Sequence, residues 1–137
     1  MVEAKTYSTY VNVQSSDLDE NEHVNNVRYL NWVQDIAKAH WTKEAKAEWL
    51  DKYVWVALNH FIEYKKPAFL DDELLIETYI DSFDGVKSNR LVKIYRKGSK
   101  ELLCQCRTVW VMLDKITNRP MRCPEAMVNA FFTPSGQ

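Results

Sequence analysis

Asp19, Asn21 and His23 stand at alternate positions inside Ser15–Asn26, SSDLDENEHVNN, where four carboxylates, one histidine and three asparagines fall within twelve residues. Such a set can do nucleophilic or acid–base chemistry: a carboxylate attacks a carbonyl carbon directly or draws a proton from water. Alternate residues of an extended segment share a side, which predicts that the three side chains converge on one point. The apolar, aromatic-rich stretch that follows reads as a helix, and the amino end of a helix favours negative charge through its free amides and dipole. A carbonyl oxygen placed there is polarised, and the oxyanion formed on attack is stabilised. A thioester suits so modest an apparatus, because its thiolate leaves with a pKa near roughly 8.5 and needs little acid assistance.

Two simpler readings account for parts of the stretch. Asn25 or Asn26 can cap the free amides at Val27 to Tyr29, but capping needs only one residue and leaves Asp19, Asn21 and His23 without a task. Asp17, Asp19 and Asn21 also match positions 1, 3 and 5 of a calcium-binding loop. That loop needs glycine at position 6 and a bidentate acid at position 12, where this chain has Glu22 and Arg28, so the metal reading fails. Asp17 is expected to be a structural acid bonding nearby backbone amides.

The elements that must hold these residues follow from periodicity. Thr6 to Gln14 alternates as a strand. From Val27, apolar or small residues recur at Leu30, Val33, Ala37 and Trp41, and Tyr29, Trp32, Ile36 and Ala39 broaden the stripe beyond a surface helix's usual arc, so the helix is expected to be wrapped and to end near Lys46. Ala47–Tyr53 reads as a further helical turn or a loop. Val54–Tyr64 is a strand closed by Pro67, and Glu73–Phe83 sets Leu74, Ile76, Thr78 and Ile80 against Leu75, Glu77, Tyr79 and Asp81. Asp84-Gly85 signals a tight hairpin, Val86–Arg96 returns, and Lys97–Lys100 turns again. Glu101–Leu113 follows with Leu102, Cys104, Cys106, Trp110 and Met112 on one face, and Pro124–Phe132 begins as a short closing helix. One helix and about five mostly antiparallel strands make an α+β layered domain. An early helix favours the hot-dog fold over the helix-grip fold, whose long helix lies at the C-terminus.

Bulk composition narrows the class. With 137 residues, 46% of them hydrophobic, the chain builds one domain, 1–137. Eighteen basic against nineteen acidic residues give a net charge of -1, no reason to bind nucleic acid or an anionic membrane. The longest apolar runs, Val54–Leu58 and Val109–Leu113, are far below the roughly 20 residues of a membrane-spanning helix, and the first residues lack the plan of a secretory signal, so the expected location is cytoplasmic. Three cysteines make neither an even disulfide set nor a zinc quartet, and are expected to be buried thiols.

Asp19-Glu20-Asn21-Glu22-His23-Val24-Asn25-Asn26-Val27-Arg28-Tyr29 closely resembles the D-x-N-x-H-V-N-N-x-x-Y signature of hot-dog thioesterases, seen in plant acyl-ACP and bacterial acyl-CoA thioesterases and related to the 4-hydroxybenzoyl-CoA branch. Ile62–Ala68, Asp72–Leu74 and Thr108–Val111 resemble the superfamily's EYxxPA, DEL and late-strand segments, so the likeness runs in order along nearly the whole chain. It implies a sheet of about five strands around one central helix and a thioesterase acting on acyl-CoA or acyl-carrier-protein thioesters. Asp19 matches the catalytic aspartate, nucleophile or base according to the branch, and Asn21 and His23 match the plant branch's asparagine and histidine. The aromatic-thioester branch has glycine where this chain has Glu22, and the plant branch's glutamate falls at Pro67, so that role is not transferred to Glu63.

The same resemblance implies substrate-binding roles for Asn26, Tyr29, Trp32 and Val33, with Ile36 beside them, no cofactor or metal, and a homodimer or tetramer. Lys65, Lys66, Arg90, Arg119 and Arg122 are the cations available to a coenzyme A tail, while His40 and His60 carry no motif. The rival readings are a hot-dog hydratase or dehydratase that leaves the thioester intact, and an acyl- or lipid-binding domain without turnover.

Overall fold

Asn25 starts the long helix: its Oδ1 accepts the N–H of Val27 at 2.9 Å, a cap worth about 1 kcal/mol. The computed structural model describes residues 2–134. In chain order these form β1 (Val2–Ala4), β2 (Tyr7–Asn12), a 3-10 turn (Ser15–Asp17), α1 (Asn26–Glu44), α2 (Ala47–Lys52), β3 (Tyr53–Tyr64), β4 (Glu73–Asp84), β5 (Lys87–Arg96), β6 (Glu101–Asp114), α3 (Glu125–Ala130) and β7 (Phe132–Pro134). Five strands make one antiparallel sheet in the order β2-β4-β5-β6-β3, and β1 pairs with β7 as a separate ribbon. This is the hot-dog arrangement, one sheet curled against one long helix.

Strand alternation sets the core. Leu74, Ile76, Thr78 and Ile80 of β4, Val92 and Ile94 of β5, and Cys104, Cys106 and Thr108 of β6 are buried on the inner face. Tyr29, Trp32, Val33, Ile36, Ala37 and His40 of α1 are buried as well, at the spacing of one helical stripe. Most of these residues close a core around the first half of α1, and a second cluster of Trp49, Ile80, Met112, Met127 and Phe131 seals the end beneath α3. Asp84-Gly85 makes the expected hairpin, with Gly85 at φ 61°.

Two expectations are corrected, and one element is new. The stripe of α1 is single-sided: Val27 is exposed and Leu30, Ala39 and Trp41 are half-buried, because the described sheet covers only one side of the helix. On β6 an extra residue, Leu103, sits between the partners of Ile94 and Tyr95; this bulge resets the alternation, so Leu103 is fully buried and Leu102 is not. The β1–β7 ribbon was not foreseen, since three-residue strands carry almost no local pattern. All three cysteines are free, buried thiols, pushed upward by burial, Cys104 to about 12 and Cys123 to about 11.

Candidate active site

The segment before α1 is a closed loop, not an extended strand. Leu18 bridges Val24, the Asp19 N–H donates to the His23 carbonyl at 2.7 Å, and the Glu22 N–H donates to the Asp19 carbonyl at 3.1 Å. Inside it the Asp19 carboxylate accepts two backbone amides on Oδ1, from Asn21 at 2.8 Å and from His23 at 3.2 Å. Aspartate favours this local bond to amides just ahead of it, and here the bond fixes the carboxylate while Oδ2 accepts nothing from the described residues. Glu22, which stands where the aromatic-thioester branch has glycine, lies at φ 61° in the left-handed region that glycine adopts without cost.

Asp19 lines a cleft of about 210 Å³ with His23, Asn26 and Tyr29 on one side and Tyr64, Lys65, Lys66 and Pro67 on the other. Tyr29 and Tyr64 pack edge to face at 5.6 Å. The Tyr29 hydroxyl accepts the Ala68 N–H at 3.1 Å, and the Tyr64 hydroxyl donates to the Asn26 carbonyl at 3.2 Å. Burial holds both phenols above the ordinary tyrosine range, so they stay protonated. The segment resembling EYxxPA is therefore the wall that faces the helix start, and the Ala68 carbonyl also accepts the Val24 N–H at 3.0 Å.

The amides at the start of α1 are mostly spoken for. Asn25 N–H donates to the Asp17 carbonyl, Val27 N–H to the Asn25 side chain and Arg28 N–H to the Asn25 carbonyl. Among the described residues the Asn26 N–H has no acceptor, and Asn26 lines the cleft, which makes this amide the donor available to an incoming carbonyl oxygen.

The predicted residues divide. Asp19, His23, Asn26 and Tyr29 come together in the cleft. Asn21 does not: the closed loop turns it away to a neighbouring hollow with Leu18, Glu22, Phe69 and Leu70, so the alternate-residue convergence is corrected. His23 lines both spaces and packs edge to face on Phe69. Trp32 and Val33 are core residues that do not line the Asp19 cleft. Asp17 is the structural acid expected: buried, it accepts the Arg28 Nε–H at 2.7 Å and the Gln14 N–H at 2.9 Å. The guanidinium thus occupies the position where a calcium loop has its bidentate acid.

Of the available cations, Lys65 and Lys66 border the cleft, Lys65 lying 3.7 Å from Glu63 and Lys66 lying 2.8 Å from Glu101. Arg119 and Arg122 do not line it, and Arg90 is buried elsewhere, which removes it from any tail-binding role at this mouth. Glu63 is a satisfied strand residue: its carboxyl accepts from Gln105 at 2.7 Å, and that bond, with Lys65 nearby, keeps its pKa low. Both remaining histidines are satisfied, His60 by Thr108 at 2.7 Å and His40 by Arg90 at 2.9 Å. Sequence reasoning missed Tyr64 and Pro67 as cleft residues, although their place around the Lys65-Lys66 pair, just past the end of a strand, was a usable signal.

Comparison with known proteins gives a consistent outcome. The family model described as the thioesterase-like superfamily matches residues 13–131. A curated relative, the long-chain acyl-CoA thioesterase FadM of Escherichia coli (strain K12), is 29% identical over 115 residues, covering 82% of this chain and 87% of its own. Among solved structures, a 1,4-dihydroxy-2-naphthoyl-CoA thioesterase from Synechocystis has a TM-score of 0.80 at 17% identity, covering 93% of this chain and 96% of that one. A mutant 4-hydroxybenzoyl CoA thioesterase complexed with 4-hydroxybenzoyl CoA has a TM-score of 0.84 at 15% identity, covering 93% and 99%. With the fold shared by those structures and the family model spanning all but the ends, the chain belongs to the thioesterase-like superfamily.

Proposed function

We propose that this protein hydrolyses acyl-CoA thioesters to a carboxylic acid and free thiol, with Asp19 as the reacting carboxylate. One observation carries the reading: among the described residues Asp19 has one oxygen pinned by two amides and the other unbonded, in a cleft that also holds the unpaired Asn26 amide. A thioester carbonyl seated with its oxygen on that amide presents its carbon to Oδ2, or to a water that Oδ2 deprotonates. Water supplies the oxygen of the new carboxylic acid, and the sulfur leaves as thiolate and takes up a proton. His23 and the protonated Tyr29 hydroxyl flank the reacting group, and Lys65 and Lys66 at the rim provide charge for the phosphates of coenzyme A.

The same reading includes a homodimer through β3. That strand is one of the sheet's two edges, the other being β2, and its exposed side carries Val54, Val56, Leu58 and Phe61, the last 66% exposed. An unpaired apolar edge is a template for pairing with a second copy, and Tyr64 at its end places the cleft beside that seam.

The experiment is thiol release from short, medium and long acyl-CoAs by wild type and Asp19→Ala. Wild type releases thiol, and the variant loses about two orders of magnitude in kcat. Thiol release that is unchanged in Asp19→Ala, or an enoyl or hydroxyacyl product with the thioester intact, overturns the assignment.

A further inference from the structure

A second cavity, of about 240 Å³, lies at the other end of α1 and shares no lining residue with the Asp19 cleft. From Asn26 to Ala37 the helix rises about 16 Å, so the two spaces are well separated along it. Its walls are apolar and aromatic: Trp41, Leu50, Tyr53, Trp55 and Ile80. One buried cation among its lining residues lacks a counter-ion. Arg90 is 4% exposed, and its Nη1 donates to His40 Nδ1 at 2.9 Å and to Thr78 Oγ1 at 3.0 Å, yet no carboxylate among the described residues forms an ion pair with it. Trp110 contributes ring surface to the wall, while its Nε1–H is buried out of reach of the cavity.

A buried guanidinium without a counter-ion is costly, and burial lowers its pKa to about 9, a value at which it is still charged at neutral pH. His40 supplies no negative charge either, being a neutral acceptor whose pKa burial lowers to about 3. The missing partner is therefore an anionic acceptor, and the aromatic walls call for an apolar body attached to it. A planar carboxylate matches the guanidinium fork, whereas inorganic phosphate would leave the walls uncovered. The volume equals about eight waters, room for a medium-length aliphatic or an aromatic acid. Lys38 and Lys115 also line the cavity and add positive charge.

We propose that this cavity binds a carboxylate carried on an apolar body, held by Arg90. The carboxylate is either that of a free acid or the far end of a dicarboxylic acyl group. Binding here does not depend on the chemistry assigned to Asp19, so it is measured first without turnover. Tryptophan fluorescence of the wild type is titrated with octanoate and with octanol, a neutral body of equal length. Octanoate binds about tenfold more tightly or better and raises the melting temperature. Arg90→Met abolishes the preference and Arg90→Lys, which keeps a charge without the planar fork, weakens octanoate a few-fold, each checked for fold by circular dichroism; if Arg90→Met fails to fold, Arg90→Lys carries the test. Hexadecanedioyl-CoA against hexadecanoyl-CoA, bound to Asp19→Ala, separates the sources: a preference for the diacid thioester that Arg90→Lys reduces assigns the site to substrate, and equal affinities with octanoate still bound assign it to free acid. Equal binding of octanoate and octanol, or a preference undiminished in Arg90→Met and Arg90→Lys, overturns the proposal.

Discussion

At the amino end of α1 a half-buried carboxylate, Asp19, sits on a loop with one oxygen held by two backbone amides; at the other end a buried guanidinium, Arg90, is held by two side chains of the core. The first charge keeps access to water and one free oxygen, which suits reaction. The second is desolvated and incompletely matched, which suits retention of a ligand. A similar contrast recurs at short range: Asp17 and Asp19 are two residues apart, yet Asp17 is buried on Arg28 while Asp19 opens into a cleft. Residue type alone does not decide between scaffold and reagent; what each carboxylate's second oxygen meets does.

The sharpest way to break this contrast is to truncate the two aspartates. Asp19→Ala is expected to cut thiol release about 100-fold, about 2.7 kcal/mol in the barrier, with a melting temperature near wild type. Asp17→Ala does the reverse, costing about 1 to 2 kcal/mol in urea unfolding by taking the acceptor from the part-exposed Arg28 and from the Gln14 N–H while the folded fraction keeps most of its turnover. A large stability loss from the first and a catalytic loss from the second would invert the assignment.

The buried end titrates in a defined window. His40 is 1% exposed and is kept neutral by burial and by the charges of Arg90, Lys43 and Lys5, its pKa falling from 6.5 to about 3. The unfolded chain binds a proton in that interval and the folded chain does not, so this contribution is complete above about 6.5 and is lost as pH falls toward 3. Between pH 6.5 and about pH 5 the loss is about 1.5 kcal/mol, and His40→Gln should flatten that part of the stability curve. An unchanged slope in the variant would place the titration elsewhere. The smallest effect belongs to the loop: Glu22→Gly relieves the left-handed backbone and should add about 0.5 to 1 kcal/mol while thiol release stays within about twofold. A destabilised Glu22→Gly would mean that the glutamate side chain itself holds the loop.

Much of this was legible in the chain. The helix, the meander of long strands, the Asp84-Gly85 hairpin and the buried set Leu74, Ile76, Thr78 and Ile80 follow from periodicity and turn chemistry, which are local. Asp19 and His23 were found as a constellation, but Asn21 was misplaced because the Asp19 side chain captures the amides ahead of it and closes the loop, overriding extended alternation. Leu102 was misassigned because a bulge shows only in cross-strand register. Arg90 was counted among the cations available to a coenzyme A tail, although it shares parity with Val92 and Ile94 on the inward face, the one signal that could have placed it correctly. Trp32 and Val33 match the helix stripe as core or as lining equally well, and only packing separates the two.

The ribbon of β1 and β7 brings Val2 opposite Pro134 and Ala4 opposite Phe132, with the Lys5 N–H on the Phe131 carbonyl at 2.9 Å. The order in which the chain visits its elements is therefore not dictated by distance: a short tether across that ribbon would let the polypeptide be reopened at the exposed Lys97–Lys100 turn, far in sequence from Asp19. Such a circular permutant should reach the same native topology, and the hot-dog core would then be seen as a closed circuit whose starting point is arbitrary.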